Sequence, residues 1–245
     1  MSEIAVTNAI TRDFLDAFDR CRASVFFVQV GSNDGEHDDP LRPFVQASAW
    51  SGVMVEPVPY VFDRLRRNYA HRADLSLVNV AVSNHDGSSS FYFLAESSEP
   101  LPEWYDQVGS FTLDTILDDW SEKMIPDLRD RIRSITVPCV TFESLCEQNA
   151  VTHIDVIHID AEGHDYEIIK GVDLNRYRPA VVLYEHKHLG DTRRAACREL
   201  LQGHGYLTAE IGYDTLCVRQ EVLEADMPTL GRAWQAAQDA PSWYE

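Results

Sequence analysis

Hydrophobic and polar positions alternate between two periods along the chain. Residues 25–30, VFFVQV, are an almost continuous apolar run that stops at Gly31, as expected of a strand buried on both faces of a parallel sheet. Comparable runs occur at 52–56 (GVMVE), 75–82 (LSLVNVAV), 154–159 (IDVIHI) and 180–184 (AVVLY). Between them the period changes to that of a helix. Ile10, Phe14, Leu15 and Phe18 predict a helix over 7–22, and Val61, Phe62, Leu65 and Tyr69 another over 59–70. Shorter helices are predicted at 40–48, at 141–149 with Thr141 as the cap, at 165–171, and at 192–203, where Gly203 stops the pattern. Further strands are expected at 88–94, after the His85-Asp86-Gly87 turn, and at 135–140. The run YLTAEIGYDTLCVR has two apolar segments around Gly212-Tyr213-Asp214 and reads as an antiparallel hairpin. This order predicts an α/β fold with a doubly wound, Rossmann-like sheet, mostly parallel, ending in an antiparallel hairpin strand. Residues 95–134 break the rhythm with three prolines and many acids. They read as a partly helical insertion in one domain spanning 1–245, placed as a lid over a site.

Charge narrows the partners. Lys and Arg total 21 against 40 Asp and Glu, a formal net charge of −19. Such a surface repels phosphate backbones and anionic bilayers, so neither nucleic acid nor membrane is expected as a partner. No apolar run approaches the roughly 20 residues of a membrane helix. The first 20 residues lack a basic segment followed by an apolar one, so no signal peptide is expected. The five cysteines are odd in number and contain no C-x-x-C pair, which fits reduced thiols in a cytoplasmic protein better than structural zinc or disulfides.

In doubly wound sheets ligands bind at the carboxyl ends of the strands. Gly31-Ser32-Asn33-Asp34-Gly35 follows the first strand. It is neither G-x-G-x-x-G nor a P-loop, and alone it is as consistent with a plain turn as with a ligand loop. Glu56 ends the second strand, 21 residues after Gly35, where a carboxylate can accept both hydroxyls of a ribose. NAD enzymes and S-adenosylmethionine enzymes share this device. Asp160-Ala161-Glu162-Gly163-His164-Asp165 and Glu185-His186-Lys187-His188 follow two further strands, bringing acids and imidazoles to the same sheet edge.

These stretches resemble the FkbM family of S-adenosylmethionine-dependent methyltransferases. The resemblance rests on VFFVQVGSNDG, GVMVEPVPYVFDRLRRNY, VNVAVSNHDGSSSFYF, VTFESL and, most specifically, IDVIHIDAEGHDYEIIKG followed by VVLYEH. It covers roughly residues 25–219, and a terminal antiparallel strand is itself a feature of methyltransferase sheets. The resemblance implies that Gly31, Asn33 and Gly35 line the methionine part of the cofactor. It further implies that Glu56 holds the ribose and that Val80, Ala81 and Val82 border the adenine, with Asp160 also beside the cofactor. Asp34 is read as a turn-former. Many family members carry Lys two residues before the motif Asp, where this chain has His158.

Methyl transfer to a hydroxyl of a small molecule, such as a sugar or a secondary metabolite, is the expected reaction. Two routes for the acceptor proton stay open. By likeness to metal-dependent small-molecule O-methyltransferases, Asp160 and Glu185 with His186 would hold Mg²⁺ or, given the imidazole, Mn²⁺. Alternatively a histidine is the base, His186 first and His164 next, with His158 a further candidate and Asp160 beside them. The competing readings are an NAD-dependent oxidoreductase, which lacks its third glycine here, and a non-catalytic binding module.

Overall fold

The computed structural model describes residues 3–47, 50–125 and 127–243. Eleven strands follow one another in the described residues: β1 (Val25–Val30), β2 (Trp50–Val55), β3 (Leu75–Val78), β4 (Ala81–Val82), β5 (Gly87–Leu94), β6 (Gly109–Ser110), β7 (Ile132–Val140), β8 (Val156–Ile159), β9 (Val181–Glu185), β10 (Tyr206–Ile211) and β11 (Asp214–Arg219). Seven of them form the central sheet in the order β10-β11-β9-β8-β1-β2-β3. β3, β2, β1, β8 and β9 are parallel, and β11 lies antiparallel between β9 and β10. The expected doubly wound α/β sheet with an antiparallel terminal hairpin is therefore the fold.

Alternation within the buried strands builds two cores, one on each face, because successive side chains point to opposite sides. Phe27, Met54 and Leu183 join Phe14, Phe18, Trp50 and Trp234 on one face. Val28, Val53, Val55, Val182 and Tyr184 join Ile157, Ile159 and Phe142 on the other. The first core is closed by the N-terminal helix, Glu3–Asp19, crossing the helix Met227–Gln238, with the Phe14 and Trp234 rings 6.0 Å apart. Complete burial of a side chain such as Phe14 contributes about 1.5–3 kcal/mol. The C-terminal helices, Gln220–Ala225 and Met227–Gln238, were not anticipated from the sequence pattern.

Two expectations are corrected. The run 75–82 is not one strand. It breaks after Val78, where the Asn79 side chain donates to the Glu56 and Pro57 carbonyls, and resumes as β4 in another sheet. That second sheet has the order β4-β7-β5-β6. β7 is longer than expected and pairs antiparallel with β5 from Ile132 to Cys139, so the irregular excursion ends at Arg131 rather than 134. The short helix expected at 40–48 spans Arg42–Ala47, and its expected end at Ser48 lies outside the described residues. The Thr141 hydroxyl accepts from Ser144 N at 3.1 Å and caps the helix Phe142–Gln148, as expected.

Candidate active site

The chain runs outward through β1, β2 and β3, then returns to β8 and β9 on the other side of β1. The switch point therefore lies between β1 and β8, and the loops leaving these strands meet there. Gly31 has φ of +79°, and a Cβ on it would lie 1.7 Å from the Asp160 carbonyl oxygen. The two loops thus cross backbone against backbone, which only glycine permits. A cavity of about 540 Å³ opens over the carboxyl ends of β1, β2, β8 and β9. This is within the range of roughly 300–1,000 Å³ that small-molecule sites occupy.

One wall is the glycine turn with Glu56. Glu56 is buried, and its two carboxylate oxygens accept from Val58 N at 2.7 Å and Asn33 N at 3.1 Å. Burial pushes its pKa up to about 7, against the pull of those two N–H groups. Asn33 and Gly31 line the cavity, and so does Ala81 of β4, between Val80 and Val82. Asp34 accepts from the backbone N–H of Glu36 and of His37 and forms the turn, as expected. Gly35 is not a lining residue. It sits beneath the helix Pro59–Asn68, where a Cβ would fall 2.5 Å from the Tyr69 ring, and its carbonyl accepts from the Tyr69 hydroxyl. Its role is to let the turn pack on that helix.

The facing wall carries the two acidic loops. Asp165 is fully buried and accepts from Ala161 N and Gly163 N, both at 3.2 Å, so its carboxylate shapes the loop after β8. Burial nevertheless raises its pKa to about 8. Glu162 is held in the left-handed region, at φ of +48°, and its carbonyl accepts from the Ser110 hydroxyl at 2.9 Å. Its carboxylate meets His188 Nε2 at 3.0 Å. Asp160, Glu162, Glu185, Lys187 and His188 all line the cavity. Burial, and then their mutual repulsion, push Asp160 and Glu185 well above the usual carboxylate range. Lys187 is partly desolvated, which lowers its pKa, but Glu162, Glu185 and Asp160 outweigh this and raise it.

The two histidines placed first as bases, His186 and His164, do not reach this space. His186 is fully buried, with its ring Nδ1 2.9 Å from the Thr215 hydroxyl on β11, and burial depresses its pKa to about 4. It lies outside the cavity lining, so neither a base role nor a place beside Asp160 and Glu185 as metal ligand is open to it. The reason is the strand period: His186 follows Glu185 directly and points to the other face. His164 packs its ring 4.5 Å from that of Phe111, with Nε2 3.1 Å from the Ser83 hydroxyl, and also lies outside the lining. His158 does line the cavity. Its Nδ1 faces Gln29 Nε2 at 3.1 Å, and that amide nitrogen can only donate, so Nδ1 accepts and the ring proton is assigned to Nε2. With a pKa lowered to about 4 by burial, His158 is a neutral ring without a free acceptor nitrogen.

His188, which meets the Glu162 carboxylate in this wall, is a lining residue given no role from the sequence. Applying the two-residue period at the end of β9 would have separated Glu185 from His186, leaving His188 as the next imidazole beyond the turn. The remaining wall comes from the excursion after β5. Trp104, Phe111, Asp118 and Trp120 line it, and the Trp104 and Trp120 rings lie 4.8 Å apart.

A profile of the methyltransferase FkbM domain matches residues 29–212, most of the chain. The chain belongs to the FkbM methyltransferase family. The family implies S-adenosylmethionine as methyl donor. Among solved structures, the methyltransferase FkbM from Methylobacillus flagellatus KT superposes with a TM-score of 0.51 at 11% identity, over 80% of this chain and 44% of that one. This chain thus spans less than half the length of that relative, and the likeness concerns the fold. The precorrin-6y C5,15-methyltransferase from Geobacter metallireducens GS-15 gives a TM-score of 0.41 at 14% identity, over 86% and 85% of the two chains. The fibrillarin pre-rRNA processing protein of Methanococcus jannaschii gives 0.42 at 10%, over 80% and 66%. No curated protein gives a significant sequence match. Among the described residues no helix is long and apolar enough to cross a membrane.

Proposed function

We propose that this FkbM-family protein methylates a hydroxyl oxygen of a small molecule. The observation that carries the reading is the composition of the cavity wall: eight carboxylate side chains line it, and Lys187 is its only Lys or Arg among the described residues. A site of that charge favours a cationic sulfonium and supplies acceptors for a hydroxyl proton. When bound, S-adenosylmethionine supplies an electrophilic methyl group.

The residues present fit that cofactor. The Glu56 carboxylate is already fixed by two backbone N–H groups and keeps lone pairs for the ribose hydroxyls. Gly31 and Asn33 offer backbone at close approach to the methionine portion, Ala81 a small apolar surface for the adenine, and Asp160 the junction of the two halves. Across the cavity, Asp160 and Glu185 bind protons more tightly than ordinary carboxylates, which suits them to take a proton near neutral pH. Trp104, Phe111 and Trp120 from the excursion cover the acceptor side and exclude water. The excursion is latched over the site through the Ser110 hydroxyl and the Glu162 carbonyl. At a net charge of −19 a nucleic acid acceptor is disfavoured.

Calorimetric titration with S-adenosylhomocysteine, followed by methyl-transfer assays on sugars and polyols, tests the reading. Binding near one equivalent with transfer to a hydroxyl supports it. The absence of any binding overturns it.

A further inference from the structure

We infer that Glu162, Glu185 and His188 form a divalent-cation site on the acceptor side of the cavity, with Mn²⁺ the best-matched ion. One ligand atom from each of the three lies within 4.8 Å of the other two. That spacing lets a single ion contact all three after small side-chain rotations, since carboxylate and imidazole ligands sit at about 2.0–2.6 Å. The second observation is Glu185 Oε2. Glu185 is 9% exposed, and this oxygen has no hydrogen-bond partner among the described residues. A buried carboxylate oxygen without a donor is costly, and an ion beside it removes the cost.

The backbone holds two of the ligands in place. Glu185 terminates β9, whose register against β8 and β11 is fixed on both sides. Glu162 is set by its left-handed backbone, the Ser110 hydroxyl on its carbonyl, and the Asp165 carboxylate binding the N–H groups on either side of it. His188 is brought round by the turn that follows, and its Nε2 already faces the Glu162 carboxylate at 3.0 Å. Glu162 comes from the loop after β8 and Glu185 from the last position of β9, so the cluster forms only where the carboxyl ends of these two paired strands meet.

The ligand set selects the ion class. Two carboxylate oxygens and one imidazole nitrogen suit Mn²⁺, an oxygen-preferring transition-metal ion that also accepts a nitrogen ligand, better than Mg²⁺, which favours oxygen throughout. Three protein ligands leave coordination positions open toward the cavity, where an acceptor hydroxyl can bind and lose its proton more easily. That use in methyl transfer rests on the methyltransferase reading, whereas the cation site does not.

The test is a titration of MnCl₂ into the chelator-stripped 245-residue chain, followed by the paramagnetic resonance signal of free Mn²⁺. One equivalent is expected, with at least tenfold weaker binding in Glu185→Gln and in His188→Gln, each first shown to be folded by circular dichroism. S-adenosylhomocysteine affinity, measured separately, should change less than threefold in these variants. Loss of free signal that survives both substitutions, no binding at millimolar Mn²⁺, or tighter binding of Mg²⁺ than Mn²⁺ overturns the site. Mn²⁺ binding without S-adenosylhomocysteine binding upholds the site and removes the methyltransferase reading. The converse removes the site alone.

Discussion

Holding the ribose, as proposed, would make Glu56 link cofactor binding to pH, and the link can be measured. In the free protein burial holds its pKa at about 7, while its oxygens accept from Asn33 N and Val58 N. Accepting two ribose hydroxyls requires the ionised form. The ionised share is about one-tenth at pH 6 and about nine-tenths at pH 8, so the apparent Kd for S-adenosylhomocysteine should fall by roughly tenfold over that span, about 1.4 kcal/mol. Glu56→Gln keeps the shape and removes the ionisation. Its affinity should be weaker at pH 8 and lose most of the pH dependence. The amide can accept only one of the two N–H groups and presents its own NH₂ to the other, which costs about 1–3 kcal/mol of stability. The sign of the stability effect follows from linkage. The folded pKa lies above the unfolded one, so the contribution of Glu56 is fully present below about pH 4.3 and is lost as pH rises through about 7. The stability deficit of Glu56→Gln should therefore shrink between pH 5 and pH 8. Calorimetry in two buffers of different ionisation enthalpy reads the proton released on binding. A wild-type Kd that is flat from pH 6 to 8, or a slope unchanged in Glu56→Gln, would refute the assignment of Glu56 to the ribose.

Other consequences follow from the same geometry. Gly31→Ala drives a Cβ into the Asp160 carbonyl, and the variant should show no cooperative thermal transition near that of the wild type, or no S-adenosylhomocysteine binding; normal folding with normal binding would contradict the backbone crossing. Asp165→Ala leaves the buried N–H groups of Ala161 and Gly163 without their acceptor and should cost about 2–4 kcal/mol in denaturant unfolding; a loss under 1 kcal/mol would mean the loop does not depend on it. His164→Phe keeps a ring against Phe111 outside the cavity, so S-adenosylhomocysteine affinity should stay within threefold, and a tenfold loss would bring His164 back into the site. Trp120 is 52% exposed at the cavity edge, so Trp120→Ala should leave Tm within a few degrees while raising the acceptor KM several-fold; unchanged KM would remove the excursion from acceptor binding.

The sequence by itself determined most strands of the central sheet, because a strand buried on both faces must be apolar almost throughout. VFFVQV, IDVIHI and AVVLY could be little else, and the hairpin around Gly212 followed from two apolar runs about a turn. It also pointed to the edge where a cavity would open, since parallel strands bring their carboxyl ends to one edge. Glu56, Asn33, Gly31, Ala81 and Asp160 all reach the cavity found there. Which side of each strand end faces that cavity was decided only by the tertiary structure. His186 and Glu185 are neighbours in the chain and lie on opposite faces, and the imidazole that meets the acids is His188, returned by a turn whose path local sequence does not specify. The same holds for Gly35, whose contact is a helix 30 residues on, and for the excursion after β5. Its short helices carry no strong period, so they acquire a position only by packing Tyr105, Ile116, Ile125 and Leu128 together and by latching Ser110 to the loop after β8. Long-range packing of this kind leaves no signal at any fixed spacing along the chain.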